Sequence, residues 1–293
     1  MEKFHIKDTD QFFLYDKYSE DDVIGIGTLN GGGDLFLIDT QEMTAARLPE
    51  QYQKTRIFYY PEVGGYKDGL IMVSLLGEID LQYHHVYHGS AGLWGWIDTD
   101  FNVIIPPEFP FAFHFSRGKA LVCKGEWGMK PLMSQHEDLP EMSDEYYQRL
   151  DDKVHTYWCD DERWGVIDTQ GNELVPCRFN ELTPITGSNT LYLAHTGSWS
   201  VCNYCVFDEA SQAEILRLDF DFDMGYMFNE LFVTPENLLV FVEHQSGKGK
   251  DFIWVYDLAE HKYIAYHKVY KERTYMGRKK VIVQKDGRDI VVF

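Results

Sequence analysis

Two cysteines, Cys202 and Cys205, form a C-x-x-C pair, a spacing used both for zinc binding and for thiol redox chemistry. Redox use calls for a helix N-terminus in an α/β setting, whereas this pair lies in a run of β-forming residues. Zinc needs two further ligands, and the nearest candidates, Cys177 and His195, are not spaced as a second pair. The pattern therefore favours thiols without a metal or redox role.

Three histidines, His84, His85 and His88, lie close together in the segment YHHVYH. His84 and His88 fall on one face of either a strand or a helical turn, and three imidazoles can hold zinc. No glutamate accompanies them in a metalloprotease arrangement. We interpret them as a cluster in a loop or at a sheet edge.

The acidic segment 219–230 partly fits a calcium-binding loop. Asp219, Asp221 and Asp223 occupy positions 1, 3 and 5 of that pattern, and Glu230 occupies position 12. Position 6, where the sharp turn requires glycine, is Met224. The same residues also fit a strand with a row of carboxylates on one face, which must be solvated, cation-bound or directed into a channel. Both interpretations stay open, but we expect a protein that uses no metal and no cofactor.

Motifs of the common enzyme classes are missing from the sequence. It contains no nucleophile elbow, phosphate-binding glycine loop or dinucleotide fingerprint in the required context. The glycine-rich segment NGGGD, 30–34, is typical of a hairpin turn. We therefore predict a non-catalytic protein, with a hydrolase whose site lies in the central channel of a β-propeller as the alternative.

The charge of the chain indicates which partners it can bind. It has 27 Lys and Arg against 47 Asp and Glu among 293 residues, hence a net charge of −20. Residues 1–260 hold 18 basic and 44 acidic side chains, a difference of −26, and residues 261–293 hold nine and three, a difference of +6. A field of this sign repels phosphate backbones, so nucleic acid is not expected as a partner. Internal charge pairing or a partner with basic character is expected instead.

Regularly spaced tryptophans reveal a repeat that must position any site. Trp94, Trp127, Trp164 and Trp199 are separated by 33, 37 and 35 residues. Self-similarity at such a period is typical of a stacked or radial array of one small unit. Large rings that recur on strands, three of the four beside a glycine that admits a close backbone approach, are expected to pack the core of the array.

The second half of the repeat unit predicts a β-hairpin. The segment WGWIDTDFNVIIPPEF, 94–109, matches WGVIDTQGNELVPCRF, 164–179, and weaker copies occupy 35–52, 204–218 and 254–266. In each copy an aspartate ends a short β-rich run. Its carboxylate can accept a hydrogen bond from the backbone amide two residues further along the chain and so stabilise the turn. Proline is expected to end the return strand. A further strand precedes each tryptophan, which gives three or four antiparallel strands per unit.

These motifs resemble the bacterial WG-repeat family. Its units run Trp-Gly-x-Ile-Asp, then Gly and Ile-Pro, then Gly-x-Ala-x-Val, and the match is specific over 92–128 and 161–179. The resemblance implies a β-rich repeat array. It implies no catalytic residues for this chain.

The turn aspartates indicate how the repeats are arranged. Asp39, Asp98, Asp168, Asp208 and Asp257 are separated by 59, 70, 40 and 49 residues, and such unequal spacing favours propeller blades over a regular solenoid. We predict an all-β fold with 1–293 as a single domain, a closed β-propeller-like ring of about six blades. The C-terminal hairpin is expected to be completed by the N-terminal segment QFFLYDK.

One insertion, 131–155, interrupts the β pattern. It has seven acidic residues between Glu137 and Asp152, and Ser143 can cap a short helix over about 140–150. Long irregular loops in compact domains are often functional. We therefore predict the partner-binding residues Glu141, Asp144 and Glu145.

The predicted partner of the insertion is another protein, and inhibition of a basic toxin or effector is one concrete form of this role. The first residues contain no apolar run of signal-peptide length, and no stretch approaches the ~20 apolar residues that span a bilayer. Five cysteines in a chain of this length fit reduced thiols. We expect a monomer in the cytoplasm with no membrane partner.

Overall fold

A computed structural model describes residues 3–14, 23–53, 65–76, 92–131, 155–196, 203–218, 230–245, 250–270, 282–285 and 287–291. The chain divides into two compact units, 1–178 and 179–293. Both units are built from antiparallel β-sheets, and the all-β prediction is confirmed. In the described ranges the single helical element is a 3₁₀ turn, Glu50–Tyr52. The helix predicted over 140–150 lies outside them.

Unit 1 contains three sheets, A, B and C. Sheet A comprises β1 (Lys3–His5), β2 (Phe12–Leu14), β3 (Ile24–Leu29), β4 (Phe36–Asp39) and β5 (Thr44–Arg47). Sheet B comprises β6 (Gly65–Lys67), β7 (Leu70–Leu76), β8 (Gly92–Ile97) and β9 (Val103–Phe109). Sheet C comprises β10 (Phe111–Ala112), β11 (Lys119–Pro131), β12 (His155–Asp168) and β13 (Glu173–Phe179), whose last residue is the first of unit 2.

Unit 2 contains sheets D, E and F. Sheet D comprises β14 (Glu181–Pro184), β15 (Leu191–Thr196), β16 (Asn203–Asp208) and β17 (Ala213–Leu218). Sheet E comprises β18 (Glu230–Val233), β19 (Leu238–Gln245), β20 (Lys250–Asp257) and β21 (Lys262–Tyr270). Sheet F is the hairpin of β22 (Ile282–Lys285) and β23 (Arg288–Val291).

Strands adjacent in sequence are adjacent in each sheet, except that β1 and β2 lie at opposite edges of sheet A. Sheets B, C, D and E have four strands each in sequence order, and sheet A adds β1 beside β5. The predicted repeat unit of three or four antiparallel strands is confirmed. The prediction that the N-terminal segment QFFLYDK completes the C-terminal hairpin was wrong. Its strand β2 pairs with β3 in sheet A instead, with Phe13 opposite Thr28. A strand close in sequence closes a shorter loop than the distant C-terminal hairpin does, and loop-closure entropy rises with loop length.

The sheets of each unit stack face to face through apolar side chains. Between sheets A and B the core includes Ile26 and Leu37 against Ile71 and Ile97. Between sheets B and C it includes Trp96 and Ala120. In unit 2, side chains of sheets D and E form one cluster, and Ile290 of sheet F packs against sheet E. Burial of these faces is the main source of stability, since a single four-stranded sheet cannot cover its own apolar side chains.

The turn between the third and fourth strands of each meander is held by an aspartate, as predicted. In every case the carboxylate accepts the backbone N–H of the residue two positions on, at 2.9–3.2 Å. The aspartates are Asp39, Asp98, Asp168, Asp208 and Asp257. The side-chain amide of Asn102 also donates to Asp98 and is the main reason that the pKa of this carboxyl lies below its usual range. The aspartate of the repeated Ile-Asp motif therefore has a structural role, which is to stabilise the turn.

The glycine of the Trp-Gly pair lies where the fourth strand comes closest to the third. A Cβ on Gly95 would lie 2.5 Å from both the Ile105 carbonyl oxygen and the Pro107 nitrogen. A Cβ on Gly165 would lie 2.6 Å from the Val175 carbonyl oxygen. No side chain fits at these distances, so glycine is required there.

The prediction that proline ends the return strand was wrong. Pro106 and Pro107 lie inside β9, and Pro176 lies inside β13. The register of β8 and β9 shifts between Trp94 and Trp96, which leaves the prolines in an irregular stretch of an edge strand. Proline is tolerated there because its missing N–H breaks no regular ladder bond.

Candidate functional site

Among the described strands the longest are β11 and β12, with 13 and 14 residues. They pair continuously from Lys119 opposite Asp168 to Pro131 opposite His155. The outer part of this hairpin, 126–131 with 155–160, is here called the β-arm. At a rise of about 3.4 Å per residue it is ~17 Å long.

The other described strands of sheet C lie beside only the inner part of this hairpin. The two residues of β10 pair with Cys123 and Val122. The seven-residue β13 is half as long as β12 and lies beside its inner end, where the backbone of Val175 approaches Gly165. The β-arm is therefore a two-stranded ribbon within the described part of sheet C.

A β-bulge separates the β-arm from the body of sheet C. Lys124 pairs with Arg163 and Glu126 with Asp160, so Gly125 faces two residues, Asp161 and Glu162. Asp161 has a φ of 52°, in the left-handed region. Such bulges bend the strand and increase its twist, and they commonly redirect a strand next to a functional site. The bulge therefore sets the direction of the β-arm.

An ion pair connects the base of the β-arm to the neighbouring strand β13. The Lys124 Nζ lies 2.8 Å from Oε1 of Glu173 on β13 and 5.8 Å from the centre of the Phe109 ring. The hydrogen bond to Glu173 raises the pKa of Lys124. Both side chains are more than a third exposed, so the pair contributes less than about 1 kcal/mol. Its role is to orient β11 relative to β13.

An aromatic cluster supports the same base from the other strands. Trp164 of β12 is stacked on Phe111, with ring centres 6.2 Å apart, and packs against Phe113 at 5.8 Å. Contacts of this kind are worth about 0.5–1.5 kcal/mol each beyond simple burial. The bulge, the ion pair and the aromatic cluster all lie at the base of the β-arm.

The outermost described residue pair of the β-arm is Pro131 opposite His155, and these residues are the predicted limits of the insertion, 131 and 155. The predicted binding residues Glu141, Asp144 and Glu145 lie between them, outside the described residues. Sequence reasoning missed the β-arm itself. The signal for it was the short β-rich runs GEWGMK and HTYWCD on either side of the insertion.

The candidate metal groups from the sequence lie mainly outside the described residues. This holds for His84, His85 and His88, for Asp219, Asp221 and Asp223, and for Cys202. Glu230 begins β18, and Met224 is not described. Where the chain is described, no three His, Cys, Asp or Glu side chains are grouped as a metal ion would need.

Cys123, Cys177 and Cys205 form no disulfide with one another. Cys205 is buried in β16, opposite Ala194 and Arg217. Burial, with the nearby Glu173 carboxylate, raises the pKa of the Cys177 thiol to about 11. A thiol with this pKa is protonated at neutral pH and is a poor nucleophile and a poor metal ligand.

The described residues define an all-β repeat protein made of antiparallel meander sheets. Residues 94–126 and 164–191 match the family model described as WG containing repeat. The resemblance seen in the sequence is thereby confirmed. No curated protein matches the sequence.

Two solved structures of a yeast protein are similar over most of the chain at a low level. One is "KlHsv2 with loop 6CD replaced by a Gly-Ser linker", with 10% identity, 87% of this chain and 83% of that chain covered, and a TM-score of 0.31. The other is "Kluyveromyces lactis Hsv2", with 10% identity, 87% and 84% covered, and a TM-score of 0.28. Scores of this size do not define a shared fold. Within the described ranges, no helix has the length and apolar character required to cross a bilayer.

Proposed function

We propose that this chain is a non-catalytic binding module that captures a basic protein through the insertion at the tip of the β-arm. The observation that carries the proposal is the β-arm: a paired ribbon, redirected by a bulge, holds the two ends of the insertion together at Pro131 and His155. A ladder of this length is not needed to connect two strands of a sheet, since two residues suffice for a hairpin. It supports a role in presenting the insertion away from the sheet.

The charge of the insertion supports a basic partner. Residues 137–152 contain seven acidic side chains and one basic one, on a chain whose net charge is −20. Acidic groups concentrated on a projecting loop attract a basic surface and speed the encounter more than they slow dissociation. Inhibition of a basic toxin or effector is one form of this function. Three described cysteines that form no disulfide with one another fit a reducing cytoplasm, where we place the protein.

The predicted partner-binding residues can be tested by neutralising them. The triple variant Glu141→Gln, Asp144→Asn, Glu145→Gln is expected to associate more slowly with a partner captured by the wild-type chain. Its association rate should also depend less steeply on ionic strength, because fewer charges steer the encounter over the ~8 Å Debye length of physiological salt. Rates are measured by stopped-flow or surface binding at several salt concentrations.

A matched control carries the same change of charge elsewhere. Asp8, Glu42 and Asp100 are exposed acids of unit 1. Their amide variant should keep a salt dependence close to that of the wild-type chain, and both triple variants should keep wild-type stability to within about 1 kcal/mol. Equal salt slopes for the wild-type chain and the insertion variant would show that the insertion does not steer binding.

We also propose that the sheets close into a propeller-like ring of about six blades. Sheets B, C, D and E, the five-stranded sheet A and the terminal hairpin give six candidate blades. Within unit 1 and within unit 2, consecutive sheets stack face to face. A closed ring of 293 residues is expected to have a radius of gyration of ~19 Å. Small-angle X-ray scattering measures this value, and a markedly larger radius would indicate an open stack.

A further inference from the structure

The segment 6–11, here called the connector, joins the two outer strands of sheet A. Strand β1 lies at one edge of this sheet and β2 lies at the opposite edge. The first residue of the connector, Ile6, is buried against Ile38 and Ala45, and its backbone N–H donates to the carbonyl oxygen of Met43 at 2.8 Å. Most of the remaining connector is exposed. A change that detaches the connector therefore loosens both N-terminal strands.

Asn30, which directly follows β3, holds the far end of the connector. Its Oδ1 accepts the Gln11 backbone N–H at 2.9 Å, and its own backbone N–H donates to the Gln11 carbonyl oxygen at 2.7 Å. Its Nδ2 donates to Oδ1 of Asp10 at 3.0 Å, while Oδ2 of Asp10 accepts the Lys7 backbone N–H at 3.0 Å. The hydrogen bond from Asn30 is the main reason that the pKa of Asp10 lies below its usual range. Because an ionised carboxylate only accepts hydrogen bonds, this contact needs a donor at position 30.

Asn30 also lies where an asparagine amide is chemically labile. It is followed by Gly31, and this is the only Asn-Gly pair in the sequence. Asn30 and Gly31 have φ of 52° and 70°, and the Gly32 N–H donates to the Leu29 carbonyl oxygen at 2.8 Å, which closes a two-residue turn. Residues 30–33 are exposed, and a Cβ on Gly31 would meet no described atom within 4 Å beyond its neighbours in the chain. The Gly31 backbone therefore has the space and the conformational freedom to approach the Asn30 side chain.

We propose that Asn30 is a site of spontaneous deamidation and that this modification releases the connector from β3. In the first step the backbone nitrogen of Gly31 forms a bond to Cγ of Asn30. The bond from Cγ to Nδ2 breaks, and ammonia leaves with the proton of the Gly31 N–H. The cyclic imide then adds water at either of its carbonyl groups, which gives an aspartate or an isoaspartate at position 30. Oxidation states do not change, and water is the co-reactant.

Both products remove the donor that faces Asp10. An aspartate at position 30 places a carboxylate oxygen where Nδ2 now lies, 3.0 Å from Oδ1 of Asp10. Like charges at this distance repel one another. An isoaspartate also lengthens the backbone by one carbon atom inside the turn, which changes the turn geometry. Because the conversion is irreversible, the N-terminal strands loosen with the age of the chain. Release of the connector does not depend on the proposed binding function.

The chemical step is tested by incubating the full chain in mildly alkaline buffer and mapping its peptides by mass spectrometry. Asn102 is an internal control, because its side-chain amide also donates to an aspartate, Asp98, in an exposed turn. Asn102 is followed by Val103, whose branched side chain restricts the approach of the backbone nitrogen. Aspartate and isoaspartate should accumulate at position 30 while Asn102 stays an amide. Retention of the amide at position 30, or equal conversion at the two positions, would overturn the proposal.

The structural step is tested by amide hydrogen exchange on variants of the full chain. In Asn30→Asp, the hydrogen-bonded backbone amides of residues 3–14 should exchange at least about tenfold faster than in the wild-type chain. The double variant Asp10→Asn, Asn30→Asp swaps donor and acceptor and should restore slow exchange. Asn102→Asp adds the same charge elsewhere in unit 1 and should leave residues 3–14 unchanged. Wild-type exchange in Asn30→Asp, or fast exchange in the double variant, would show that a carboxylate at position 30 does not release the connector by repelling Asp10.

Discussion

Replacing Trp96 by alanine is expected to lower the free energy of unfolding of unit 1 by about 3–5 kcal/mol. The Trp96 side chain is 1% exposed in the core between sheets B and C. Its ring makes edge contacts with Phe109 at 6.0 Å and with Phe115 at 5.1 Å. Alanine would leave a large cavity that the two sheets cannot close, because each is held by its own hydrogen-bonded ladder.

Trp164→Ala provides the matched control. This ring is half-buried and packs against Phe111 and Phe113 near the base of the β-arm. Its removal exposes less core, so a loss of about 1–2 kcal/mol is expected. Urea titration followed by circular dichroism gives both values. An equal or smaller loss for Trp96→Ala would show that the core between sheets B and C is not the main support of unit 1.

The tryptophans of the two repeat copies also show how far the repeat pattern predicts burial. Trp94 and Trp164 occupy the same repeat position, yet Trp94 is 1% exposed and Trp164 is half-buried. Trp96, whose counterpart in the other copy is Val166, is buried as deeply as Trp94. The repeat predicts where a strand lies and which face is apolar. It does not predict what the neighbouring sheet contributes, because those residues come from distant parts of the chain.

Structural features within a single hairpin were predicted more successfully than the pairing and register of strands. The turn aspartates and the close approach at the Trp-Gly glycines depend on residues a few positions apart in one hairpin, and both are confirmed. The position of β2 and the passage of β9 through Pro106 and Pro107 depend on strand pairing and register, and both were predicted wrongly. The length of the β-arm could not be predicted from the sequence, since it depends on which strands end early beside it.

One turn aspartate does more than hold its turn. Asp257 accepts the backbone N–H groups of Ala259 and Glu260, and its Oδ2 lies 3.1 Å from Nζ of Lys285 on sheet F. The same ammonium donates to the carbonyl oxygen of Glu236. The Asp257 carboxylate is 2% exposed and Lys285 18%, so the ion pair is well shielded from water. It joins the terminal hairpin to sheet E.

Asp257→Asn is therefore expected to destabilise unit 2 by about 3 kcal/mol at pH 7, because the variant leaves the Lys285 ammonium partly buried without its counter-charge. Asp168→Asn, at the same turn position in unit 1, is the control. The carboxylate of Asp168 accepts the amides of Gln170 and Asn172 at a more exposed position, and about 1 kcal/mol is expected. Equal effects of the two substitutions would contradict a special role for the ion pair.

The pH dependence of the Asp257→Asn effect gives an independent check. Burial raises the pKa of Asp257, but Lys285 and the amides of Glu260 and Ala259 more than offset this, so the pKa lies below its usual range. A carboxyl with a lowered folded-state pKa stabilises the fold fully above its unfolded-state pKa of ~3.9, and this stabilisation is lost as pH falls through the folded-state value. The difference in unfolding free energy between the wild-type chain and Asp257→Asn should therefore be constant from pH 7 to about pH 5 and shrink below about pH 4. Urea titrations across this range measure it, and a difference that stays constant into acid would mean that the charge of Asp257 does not hold sheet F to sheet E.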